Sequence, residues 1–152
     1  LPNVAGPADR LSELLTLEPD GEDRWLATTP SDGPGRLFGG QVASQTLRAA
    51  TLTVEPDRAV HSLHAYFIRP GRPGEPLQLE VDRTRDGRSF TTRRVTAIQS
   101  GGPIFTLAAS FHIVEQGDDW HLPGPSDVPE PETIDGAASF FGQFSTMSPF
   151  EI

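Results

Sequence analysis

Hydrophobic positions repeat with helical spacing in two early stretches and with strand spacing through most of residues 60–114. Residues 10–17 (RLSELLTL) place Leu11, Leu14 and Leu15 on a short amphipathic helix, with Asp9 positioned to cap it. Residues 25–29 read as a first strand, and the breaker-rich 30–35 as a loop. The strongest helical pattern covers 41–54, where Ala43, Leu47, Ala50 and Val54 recur at i, i+4, i+7 and i+11 before Pro56 stops the helix. The residues on that face are small, so another layer can pack closely on it.

From there the period is two. Residues 60–69 (VHSLHAYFIR) predict a strand, 70–76 a loop, and Leu77, Leu79 and Val81 alternate with polar residues in the next strand. Asp86-Gly87 is a hairpin signal, 89–99 a further strand, and 101–103 a second turn. Residues 104–114 (IFTLAASFHIV) are nearly apolar at every position, as expected of a central strand covered on both faces. The order is β–α–β–β–β–β. This is an α+β class in which one long central helix buries its small-residue face against an antiparallel sheet.

Composition narrows the function classes. The absence of Cys excludes disulfide scaffolds, Cys-based zinc sites and thiol nucleophiles. No apolar run approaches the length of a membrane-spanning helix, and no basic-then-apolar leader opens the sequence, so the expectation is a cytoplasmic domain with no membrane partner. Charge is asymmetric: residues 1–94 hold 12 Arg against 13 carboxylates, whereas 95–152 hold 8 carboxylates and no cation. Between Arg69 and Arg94, seven Arg face four carboxylates. That surplus is too thin for a nucleic-acid footprint, but it could serve a few phosphates on a small ligand. Residues 117–152 are rich in Pro, Gly and carboxylates, with a weak apolar cluster at Phe140, Phe141 and Phe144.

Four segments, RLFGGQVASQTLRAA (36–50), HSLHAYFIRPG (61–71), RDGRSFTTRRVTAIQSG (85–101) and IFTLAASF (104–111), together resemble the first half of a type II acyl-CoA thioesterase. The resemblance runs from about Leu11 to Val114 and resumes at 148–152. It implies a hotdog fold over 1–115, a linker over 116–147, and the start of a truncated second hotdog at 148–152. By period alone, another helix-on-sheet topology fits nearly as well. The resemblance further implies water-mediated hydrolysis of acyl-CoA to fatty acid and coenzyme A, without metal or other cofactor. The family's catalytic Asp, hydroxyl residue and Gln belong to the second hotdog, so no catalytic residue is assigned here. The chain is then a fragment, a cleaved piece or a single-domain relative, partnered by a second hotdog or by copies of itself. The rival reading is a non-catalytic acyl-CoA binding module, or a structural half completing a catalytic partner.

Several residues are candidates for substrate contact. Gly39, Gly40 and Gln41 stand at a helix start, where free N–H groups and the dipole favour an oxyanion. The two Gly residues equally suit a tight turn. Gln41 and Gln45 could orient water, but an amide cannot take its proton, and residues 40–54 contain no carboxylate. His61 and His64, three apart in a strand, should face opposite ways and cannot form one two-His metal site without a bulge. His61 shares the apolar side of Leu63, Ala65 and Phe67, which makes it the better site candidate; His112 and His121 read as structural. Arg88 and Arg93, near the Asp86-Gly87 turn, could meet coenzyme phosphates or simply be solvated. No phosphate-binding P-loop, dinucleotide-binding glycine motif, zinc-protease motif or nucleophile elbow occurs.

Overall fold

A computed structural model of the chain describes residues 7–31, 35–125, 127–130 and 133. Its elements run α1 (Pro7–Leu14), β1 (Leu17–Pro19), β2 (Arg24–Ala27), α2 (Gly39–Thr51), β3 (Arg58–Phe67), β4 (Leu77–Asp86), β5 (Phe90–Gln99) and β6 (Gly102–Ile113). The six strands form one antiparallel sheet in the order β1-β2-β4-β5-β6-β3. The chain thus crosses from β3 to β4 without pairing them, and β3 is left at the edge beside β6.

The chain divides into two compact units, Ser12–Val114 and a second made of Leu1–Leu11 with Glu115–Ile152. In the second unit, the described residues from Glu115 onward hold no strand or α-helix, and a turn closes where the Thr133 N–H donates to the Glu130 carbonyl at 2.9 Å. The Phe140, Phe141 and Phe144 cluster and the expected second-hotdog start at 148–152 lie outside the described residues.

The first helix starts three residues before its expected span, with Pro7 at the first position, where the missing N–H is harmless. Asp9, expected as its cap, therefore lies inside it. Leu17 opens β1, a three-residue strand too short for any alternation to betray it.

Helix α2 begins two residues earlier and ends three residues earlier than 41–54. Its buried line is Val42, Gln45, Thr46, Ala49 and Ala50; of the expected face, Ala43 and Leu47 are only partly buried against the core. Thr46 takes a place on that line because its polar group is satisfied within the helix. The Thr46 hydroxyl donates to the Val42 carbonyl at 2.6 Å, so its methyl can enter the core. Leu77, Leu79, Val95, Leu107 and Phe111 form the sheet side of that core.

Along β6 the buried positions alternate: Phe105, Leu107, Ala109 and Phe111 are buried while Ala108 is exposed and Thr106 and Ser110 are half-buried. The expected double cover of this strand is thus corrected to a single inner face against α2. The outer positions are filled by Ala, Thr and Ser, whose small size kept the apolar run unbroken. The β5–β6 turn also lies earlier than 101–103. Ser100 and Gly101 both have positive φ (49° and 73°), the left-handed pair of a two-residue hairpin, and Gln99 pairs with Gly102.

Candidate functional site

The N-terminus of α2 gathers the first set of expected site residues. Phe38 is its N-cap but supplies no side-chain hydrogen bond, and no acidic residue lies in the first turn. The Gln41 and Val42 N–H groups reach the Phe38 carbonyl at 3.1 and 3.3 Å. The Gly39 and Gly40 N–H groups have no partner within the helix, as its first donors never do. Gln41 is half-buried, with its Nε2 shut off from solvent and without a hydrogen-bond partner among the described residues. The first turn is therefore a set of donors with no competing carboxylate.

Both glycines lie close against aromatic rings. A Cβ on Gly39 would stand 2.9 Å from Phe67 Cε1, and one on Gly40 would stand 2.5 Å from Phe38 Cε1. Phe67 and Phe38 are themselves largely exposed, at 66% and 59%. Two aromatic rings thus flank the open donors, and Phe67 continues onto Phe105 at 4.8 Å between centroids. Sequence reading missed these rings as site walls, although a Phe directly before Gly-Gly was a usable signal.

Gln45 does not join this group. It is fully buried, and its Nε2 donates to the Leu14 carbonyl at 2.9 Å and to the Thr28 carbonyl at 3.0 Å. Two carbonyl acceptors fix the orientation of the amide, since the flipped form would oppose oxygen to oxygen. Gln45 ties α2 to the chain on both sides of the β1–β2 hairpin through its Nε2, while its Oε1 is buried without a hydrogen-bond partner among the described residues.

His61 is displaced from its expected place by a β-bulge. The β3–β6 register shifts between Val60 and Ser62, so the extra residue, His61, leaves the side of Leu63, Ala65 and Phe67. Its Nε2 lies 2.8 Å from Ser110 Oγ, and its ring meets Phe90 and His112 at 5.7 and 6.1 Å between centroids. His64 stacks edge-on to Tyr66 at 4.8 Å. Among the described residues no group of three His, Asp or Glu is arranged to hold a metal ion.

Arg93 is corrected as well. It is 1% exposed because β5 turns it inward, beneath the end of α2. Its Nε donates to Thr53 Oγ1 at 2.8 Å, and its Nη2 donates to the Thr53 carbonyl at 2.9 Å and to Asp86 Oδ1 at 2.6 Å. The Arg85 and Thr92 carbonyls take bonds from Nη1 at 3.2 and 3.0 Å. Every arm of the guanidinium is used internally. Arg88 remains exposed on the β4–β5 hairpin, at the end of the sheet away from Gly39.

A single helix laid on one face of an antiparallel sheet, with a donor-lined helix start beside an apolar edge strand, is the architecture of the hotdog class. Residues 28–112 match the family model of the acyl-CoA thioesterase N-terminal domain, and the chain belongs to that family. It is 40% identical over 142 residues to human acyl-coenzyme A thioesterase 8, an alignment covering 91% of this chain and 44% of that protein. The crystal structure of the acyl-CoA thioesterase II TesB2 from Mycobacterium marinum superposes with a TM-score of 0.75 at 40% identity, over 89% of this chain and 49% of that one. A protein of unknown function with a hot dog fold from Alicyclobacillus acidocaldarius shares the fold, with a TM-score of 0.67 at 24% identity over 81% of this chain and 47% of its own. The chain spans less than half the length of each of these relatives.

Proposed function

We propose that this chain is the N-terminal hotdog half of a cytoplasmic thioesterase of fatty acid metabolism, which hydrolyses acyl-CoA to fatty acid and coenzyme A with an activated water. The observation that carries this reading is the start of α2, where the Gly39 and Gly40 N–H groups and the Gln41 amide are donors without partners in the helix. Such donors stabilise the oxygen of a thioester as it gains charge during attack by water. Gly39, Gly40 and Gln41 are accordingly the substrate-contacting residues of this half, with Phe38 and Phe67 as apolar walls. The proton of the water must go to a base, and α2 carries no Asp or Glu anywhere along its length. The base is therefore supplied by a second hotdog.

The seat for that partner is the edge strand β3, where Val60, Leu63 and Phe67 are exposed at 40%, 51% and 66%. An unpaired strand edge beside exposed apolar side chains supports association with another sheet. In this reading, 1–115 forms the hotdog, 116–147 a linker, and 148–152 the opening of the next hotdog, or else two copies of the chain pair. The test is thioester hydrolysis by residues 1–152 alone and with the second hotdog joined. Turnover only in the joined form supports the reading; equal turnover by 1–152 alone places the base in this half and overturns it.

A further inference from the structure

Resting on the reading that the start of α2 receives the acyl carbonyl, we propose that Arg69 and Arg72, at the β5–β6 hairpin, bind the phosphate groups of the coenzyme arm.

The first observation is which end of the sheet each arginine occupies. Phe67, whose ring covers Gly39, pairs with Phe105 of β6. From Phe105 to Gly102 at the β5–β6 hairpin is three residues, or about 10 Å of strand. From Phe105 to His112, which pairs with Phe90 beside the Arg88 hairpin, is seven residues, or about 24 Å. The Leu37 N–H donates to the Gly71 carbonyl at 2.8 Å, which holds the segment leading into α2 against the 68–72 segment. Arg69 and Arg72 therefore share an end of the molecule with the helix donors. Arg88 lies at the other end, and Arg93 is buried there.

The second observation is how the two guanidinium groups are held. Arg69 lies directly over Gly102, where a Cβ would collide with its Nη1. Arg72 Nη1 donates to Ser100 Oγ at 3.2 Å, and its backbone N–H donates to Gln99 Oε1 at 2.8 Å. The two cations thus rest on residues two apart at one hairpin tip. Glu75, the neighbouring carboxylate, is occupied by the Ser100 N–H at 2.8 Å and the Ser100 hydroxyl at 2.7 Å. Among the described residues no carboxylate forms an ion pair with either arginine, and the Arg69 guanidinium makes no hydrogen bond, its backbone N–H alone donating to the Ile104 carbonyl at 3.1 Å. Both side chains are exposed. Two exposed guanidinium groups resting on one hairpin tip, neither in a direct ion pair among the described residues and Arg72 linked to Glu75 only through the Ser100 hydroxyl, are suited to phosphate oxygens.

The experiment measures equilibrium binding to the protein with its second hotdog half. The probes are coenzyme A, adenosine 3′,5′-bisphosphate and phosphate-free pantetheine. The double variant Arg69→Gln, Arg72→Gln is expected to bind coenzyme A and the bisphosphate about tenfold or more weakly, because each lost contact is a charge-assisted hydrogen bond. Pantetheine binding and the thermal midpoint are expected to stay as in the parent protein. Replacing both residues by Lys is expected to restore part of the affinity. The proposal is overturned if the double variant binds coenzyme A normally, if the parent protein does not bind the bisphosphate, if pantetheine is weakened equally, or if Arg88→Gln alone matches the loss. Binding is read without turnover, so the two readings fail separately. A protein that binds through these arginines yet leaves the thioester intact refutes the hydrolase reading alone.

Discussion

Gln45 has no exposed surface, yet its amide joins three separate segments through the Leu14 and Thr28 carbonyls. Removing it takes the donor from the Leu14 and Thr28 carbonyls and opens a cavity beneath α2. Gln45→Ala is expected to lower stability by about 2–3 kcal/mol, read as a shifted denaturant midpoint, while turnover per folded molecule in the complete enzyme stays near the parent value. A large loss of turnover with an unchanged midpoint would return Gln45 to the site. Arg93 plays the same kind of part at the other end of α2. It donates to the Thr53 hydroxyl and carbonyl and reaches Asp86, so it fixes the end of the helix to the β4–β5 hairpin. Arg93→Met is expected to destabilise by about 2–3 kcal/mol without changing affinity for coenzyme A, since bonds to a charged group are the strong ones and none of these faces ligand. Calorimetry on the folded variant checks both halves of that statement.

Among the elements, α2 is set by what its neighbours leave room for. Ala49 and Ala50 are fully buried, and larger side chains there have nowhere to go. Ala50→Leu should overpack the contact with the sheet and cost about 1–3 kcal/mol. An unchanged denaturant midpoint would mean that this face opens to solvent. The β5–β6 hairpin depends on Gly101, whose φ of 73° suits a residue without a Cβ. Gly101→Ala meets no steric neighbour within 4 Å, so its expected cost of about 1–2 kcal/mol is purely that of the left-handed backbone. The bulge in β3 works at the same scale, because one extra residue at His61 turns that ring from the side of Leu63 to that of Ser110.

For the molecule as a whole, the decisive feature is an exposed apolar edge. Sheet order leaves β3 on the edge, and Val60, Leu63 and Phe67 lie exposed along it. Residues 1–152 by themselves are expected to dimerise or to aggregate with rising concentration, as unpaired edges with apolar side chains do. Light scattering over a concentration series checks this. Leu63→Lys, placing a charge on that edge, should shift the population toward monomer. A stable monomer at high concentration in the parent chain would contradict the assignment of this edge to a partner.

The sequence by itself determined the long strands, the central helix, the helix-start position of Gly39, Gly40 and Gln41, and the lack of a base on that helix. Those are local properties: periodicity, turn residues and residue types adjacent in the chain. Tertiary structure alone decided which polar residues are consumed inside. Nothing near Gln45 or Arg93 in sequence announces that Leu14, Thr28 or Thr53 will be waiting, because those partners lie 17 to 40 residues away. Likewise, period two assigned His61 to the wrong side, since a bulge is a property of two paired strands and not of one. The pairing of Arg69 with Arg72 at one hairpin tip arises from the β3–β6–β5 order, which brings the end of one strand to a turn some 30 residues later in the chain. Burial and long-range register have no signature in a single strand or helix, and here they decide which arginines are exposed and which are consumed inside.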